Sequence, residues 1–153
     1  MNRIVSLLNK PVDDPRGLAI LLLFVRIALA APFWVSGRTK VEQGSLFSIS
    51  ETTFALFEME YAGVPLPPAF AAVTATLAEH LLPLLLLFGL GTRLAAAGLL
   101  AMTLVIQLFV YPDAWWSVHM QWVALALIVL VLGPGRLSAD ALLPPQPKPT
   151  MAR

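Results

Sequence analysis

Residues 69–90, AFAAVTATLAEHLLPLLLLFGL, constrain the fold more than any other part of the chain. The run is long enough to cross a hydrocarbon core of ~30 Å as a helix. A bilayer offers the backbone no water, so only helices or closed barrels cross it. Near its centre the run carries Glu79-His80. Ionisable groups at that depth are costly and require a compensating partner. Further apolar runs complete the pattern, and the predicted spans are residues 18–36, 69–90, 94–110 and 118–132. With 12% charged residues the chain has about half the ~25% of a soluble domain. The expected fold is therefore all-α, a four-helix transmembrane bundle occupying residues 1–140. A Pro-rich, disordered tail is expected over residues 141–153.

The chain lacks cysteine. That excludes a disulfide, a thiolate nucleophile, an iron–sulfur cluster and a Cys-ligated zinc. A net charge of +1, without a basic patch interleaved with aromatics, gives no case for nucleic acid. Asp14-Pro15 reads as a helix start, with Asp14 as N-cap. The first run also resembles a signal peptide at Ala28-Leu29-Ala30, but Arg26 interrupts its apolar region, and a retained span is expected. In the first long loop, residues 50–61 predict a short amphipathic helix capped by Ser50, with Phe54, Phe57 and Tyr61 on one face. Gly89-Leu90-Gly91 makes a tight turn, so the third span must pack antiparallel to the second. Its small residues Ala95, Ala96, Ala97, Gly98 and Ala101 permit close contact.

Orientation follows from the basic residues. Arg3, Lys10, Arg16, Arg93, Arg136, Lys148 and Arg153 share one side, and only Arg38 and Lys40 lie in loops on the other. Both termini are expected in the cytoplasm. Trp34, Tyr111, Trp115, Trp116 and Trp122 then approach the outer interface, where aromatic rings anchor.

Counting from Pro15 places Arg26 about 16 Å along its helix, and counting from Ala69 places Glu79 about 15 Å along the next. Equal depth on antiparallel helices predicts an Arg26–Glu79 ion pair, fixing helix register or flooring a site. Pro83 denies the Glu79 carbonyl its helical donor, as Pro32 does for Ala28. His80 is turned about 100° from Glu79, toward a backbone carbonyl, Thr103 or Gln107. Gln107 and Tyr111 share a helix face. With Trp34, Ser36, Lys40, His119 and Trp122 they line a predicted outward pocket for a quinone-like ring or an organic anion. Glu79, His80 and His119 are metal-ligand types without metal-motif spacing, and the histidines lie at unequal depth for a haem. No metal site and no covalently bound cofactor are expected.

The order Arg26, then residues 33–40 (FWVSGRTK), Glu79, residues 89–96 (GLGTRLAA), His119 and residues 133–140 (GPGRLSAD) resembles the DoxX family. The resemblance implies a four-helix protein of the prokaryotic plasma membrane. It also points to subunits of a thiosulfate:quinone oxidoreductase. Residues 34–40 and 109–115 further resemble members associated with metal-linked peptide modification. The expected function is a non-catalytic accessory component of a membrane oxidoreductase or metal/oxidative-stress system, binding a small hydrophobic or anionic ligand. An enzyme reading, as a quinone-interacting subunit, needs a second chain to hold the electron donor. A transporter reading needs a homo-oligomer.

Overall fold

A computed structural model describes residues 14–143. Arg3, Lys10, Lys148, Arg153 and the Pro-rich part of the tail lie outside the described residues. Helix α1 spans Pro15–Thr39, α2 Glu51–Met59, α3 Pro68–Phe88, α4 Thr92–Phe109 and α5 Met120–Leu132. A 3-10 turn at Pro112–Ala114 and a π turn at Trp115–His119 lead directly into α5. The fourth apolar stretch is therefore Pro112–Leu132, longer than the predicted residues 118–132.

Local chemistry sets these boundaries. The Asp14 carboxylate accepts from the Arg16 amide, and Pro15 opens α1. Ser50 holds the N-cap position of α2, but its hydroxyl makes no capping bond. It lies 2.9 Å from the Thr52 hydroxyl and 3.0 Å from that of Thr53 instead. Gly89 ends α3 at φ 71°, in the left-handed region that favours glycine.

The spanning helices close a ring in the order α1, α3, α4, α5. Val25, Leu29, Phe33, Leu86, Leu99 and Val129 fill its axis. Of the predicted small residues, Ala95 and Ala96 are fully buried and Gly98 lies against Leu82, whereas Ala97 and Ala101 are exposed. Phe24, Leu94, Leu108 and Val131 are exposed on the outside of the ring, as lipid-facing residues must be. Helix α2 lies across one end, where Phe57 buries against Ala71 and Ala72 of α3, with Phe54 and Tyr61 beside it. The predicted aromatic face of the loop helix is thus its packing face.

Helix α1 is staggered against α3. Gly37 lies against Glu79 and His80, and Arg26 lies against Gly89. Arg26 and Glu79 are therefore separated by about 15 Å of helix at ~1.5 Å per residue. The predicted ion pair between them does not form. Counting from Pro15 and Ala69 took both helix starts as the faces of one slab, whereas α1 runs on past the Gly89 turn. The side chains also diverge. Each Cα–Cβ bond tilts toward its own helix N-terminus, so these antiparallel helices lean Arg26 and Glu79 apart.

Candidate functional site

Glu79 finds its countercharge in Lys40, the C-cap residue of α1. Lys40 Nζ is 2.7 Å from Glu79 Oε2 and donates to Oε1 at 3.0 Å. The Ser36 hydroxyl completes the group, accepting from Lys40 at 2.8 Å and donating to Glu79 Oε1 at 3.1 Å. Ser36 and Lys40 stand four apart, the spacing that brings side chains together on a helix. Lys40 and Glu79 are 5% and 3% exposed, so this ion pair is fully enclosed. Glu79 Oε2 has the charge contact but no aligned hydrogen bond. The Lys40 carbonyl accepts from Ser50 N and from the Thr53 hydroxyl, which ties the pair to the start of α2.

A cavity of about 280 Å³ lies on the α3–α4 side of Glu79. Phe57, Tyr61, Val64 and Leu66 close it at the α2 end, and Ala75, Ala78, Met102 and Ile106 form its walls. Glu79, the deepest of its α3 residues, forms the floor. Thr74, Ala101 and Val105, also in its lining, are exposed. Because they belong to spanning helices, the cavity opens sideways, between α3 and α4. The Tyr61 ring stacks on Phe57 with centroids 4.1 Å apart. Burial, reinforced by the Glu79 charge, pushes the Tyr61 phenol up to about 12, so it enters the site as a neutral hydroxyl.

The other residues predicted for one pocket fall into separate groups. His80 Nδ1 lies 2.8 Å from the Thr76 carbonyl, a contact that assigns the ring proton to Nδ1. Only Nδ1 can be a donor in that contact, and its ring meets the edge of Trp34. Nε2 is buried without a partner. His119, buried in the π turn, lies 2.7 Å from Gln107 Oε1 and packs on Trp122. Gln107 also donates to the Pro112 carbonyl. Tyr111 does not share the Gln107 face, because α4 ends at Phe109. Its hydroxyl reaches across to donate to Glu60. That bond, then burial, raises the Tyr111 phenol above its ordinary value.

Arg26 lies at the opposite end of the bundle. It is fully buried, and Nη2 donates to the Leu137 carbonyl. Nearby, Asp140 accepts from the Gly91 and Thr92 amides, each at 2.8 Å, and from the Thr92 hydroxyl at 2.7 Å. Burial works to raise the Asp140 carboxyl, but these hydrogen bonds and the Arg26 charge outweigh it and hold it below its ordinary value. Asp140 thus caps α4 from a distant part of the chain. No signal local to residues 133–140 pairs it with Gly91 and Thr92. Ala141 and Leu142, assigned to the tail from sequence, belong to the 3-10 turn Ala139–Leu142. Among the described residues no cluster of three or more His, Asp or Glu could hold a metal ion.

Four long apolar helices in a closed ring, carrying a buried ion pair, define a multi-pass membrane protein. The family model described as DoxX matches residues 21–112. That is more than half of the chain, which therefore belongs to the DoxX family. The matched stretch includes Arg26, Lys40 and Glu79 and stops before His119 and the closing residues 133–140. No curated protein and no solved structure matches the chain.

Proposed function

We propose that this protein is a ligand-binding accessory component of a prokaryotic inner membrane, with the α2 end facing outward, and that the cavity beside Glu79 is its binding site. One observation carries the reading: a buried carboxylate, ion-paired from behind by Lys40, forms the floor of an otherwise apolar cavity. Packing alone needs no such arrangement, since hydrophobic residues of similar volume often replace a buried pair without loss. The cavity lies near the lower end of the ~300–1,000 Å³ typical of ligand sites, and it has their usual make-up of apolar walls with few polar groups. A molecule held there would be presented to a partner oxidoreductase or metal-stress protein, which supplies the chemistry. Cysteine-free and without a metal cluster among its described residues, the chain offers binding groups and a charge pair. Quinones belong to the size and polarity range to be tested.

The test is recovery of the occupant. Protein purified in a mild detergent is extracted and its small molecules are identified by mass spectrometry, beside an Ala101→Phe variant whose ring fills the cavity. A stoichiometric non-lipid molecule, lost in the variant, supports the reading. Identical extracts containing only phospholipid overturn it.

A further inference from the structure

The polar groups of the cavity specify the head group of its occupant, an inference that rests on the reading of this cavity as a binding site. A carboxylate has about four lone-pair positions. Oε1 of Glu79 uses two, for Ser36 and Lys40. Oε2 rests 2.7 Å from Lys40 Nζ without an aligned hydrogen bond and is itself sealed off by the protein, so the carboxylate keeps unused acceptor capacity. The ammonium of Lys40, in contrast, is consumed: it points at Ser36 Oγ, Glu79 Oε1 and Glu79 Oε2. Lys40 is also absent from the cavity lining, whereas Glu79 is part of it. The cavity therefore offers an ionised acceptor at its floor, the neutral Tyr61 hydroxyl at its α2 end, and no free cation. A donor would satisfy the remaining lone pairs, and an anion would meet like charge at close range in a low-dielectric setting.

The approach route narrows the class further. Thr74, Ala101 and Val105 place the opening between membrane-spanning helices, so the occupant arrives dissolved in lipid and is itself mainly apolar. We propose that the site takes a small, lipid-soluble molecule with one hydrogen-bond donor, such as a phenol or alcohol, whose O–H donates to the Glu79 carboxylate while its ring or chain lies among Ala75, Ala78, Met102 and Ile106. This replaces the organic anion expected from sequence.

Equilibrium dialysis against protein-loaded and empty phospholipid nanodiscs tests the inference, with affinity referred to probe concentration in the lipid. The probes are 4-propylphenol, its isostere 4-propyltoluene, and 4-propylbenzoate. A hydrogen bond to a charged group predicts a preference for the phenol over the toluene of about tenfold or more. The benzoate should show no protein-dependent binding. Glu79→Gln should reduce the phenol preference to about fivefold, the scale of a neutral hydrogen bond. Ala101→Phe leaves the ion pair untouched and should abolish binding of both neutral probes. Equal binding of phenol and toluene, both sensitive to Ala101→Phe, overturns the donor inference and leaves the cavity as a ligand site. Binding of the benzoate overturns it as well. Absence of any binding sensitive to Ala101→Phe, with a phospholipid acyl chain retained instead, overturns the cavity reading itself.

Discussion

Replacing Lys40 and Glu79 singly and together separates the two ion pairs that sequence and structure suggest. At 2.7 Å and an effective dielectric near 20, the Coulomb attraction between unit charges is about 6 kcal/mol, from ~332/(ε·r). Desolvation of two enclosed charges offsets much of that. The observable quantity is the cost of leaving one of them alone, about 3–5 kcal/mol. Lys40→Met should cost this much because Glu79 keeps only the Ser36 hydroxyl. Glu79→Gln should cost a comparable amount because the ammonium stays buried without a counterion. Lys40→Met/Glu79→Gln removes both charges and preserves volume. It should lie within about 2 kcal/mol of the parent, so the coupling is at least about 4 kcal/mol. Reversible unfolding in mixed micelles, followed by circular dichroism, measures all four corners of the cycle. Arg26→Met combined with Glu79→Gln provides the control. Sites more than ~7–10 Å apart add within about 0.5 kcal/mol, so this second cycle should be additive. Additivity between Lys40 and Glu79, or strong coupling between Arg26 and Glu79, would refute the assignment.

At the other end of the bundle, Asp140→Ala orphans the Gly91 and Thr92 amides and should lower stability by about 1–2 kcal/mol, the upper range for losing a helix cap. The Asp140 carboxyl is depressed on folding, so its contribution is complete above the ordinary value of 3.8 and is lost as pH falls through the folded value. Unfolding of the parent and of Asp140→Ala should therefore converge below about pH 4, an unflagging gap in acid being the contrary result. Gly37→Ala should destabilise by about 1–3 kcal/mol through overpacking, since the added carbon meets Glu79 Cβ at 3.0 Å; an unchanged melting temperature would show that α1 and α3 can part there. Both tyrosines, Tyr61 and Tyr111, are raised on folding. Absorbance near 295 nm should show less tyrosinate at pH 10.5 in the folded protein than in the unfolded chain, and stability should fall as pH rises from about 10, because the unfolded chain releases those protons first.

Spans, turns and the packing face of α2 were readable because each rests on a short-range pattern. Apolar length fixes a span, Asp14-Pro15 starts a helix and Gly89 ends one. The partner of Glu79 was harder. Lys40 sits just past the apolar run and reads as loop, yet a residue at a helix C-terminus leans back along the helix, and its spacing from Ser36 pointed the same way. Depth counting failed for Arg26 because stagger between helices is set by packing, here by Gly37 against Glu79 and His80, which a linear count does not contain. Tyr111 was misplaced by assuming that α4 continues past Phe109. Asp140 meets Gly91 and Thr92 from 49 and 48 residues further along the chain, so only the folded bundle reveals the contact.

The stagger of α1 also couples the loop to the helix pair. Its C-terminal end stops at Thr39, level with the interior of α3, and the 40–50 loop and α2 occupy the space beyond it. Lys40 is tolerated in that space because Glu79 is there to receive it. The seated residue holds the start of α2 through the Lys40 carbonyl, and α2 packs with Phe57 over Ala71 and Ala72. The position of α2 is in this sense a report that the first and second spans have found each other.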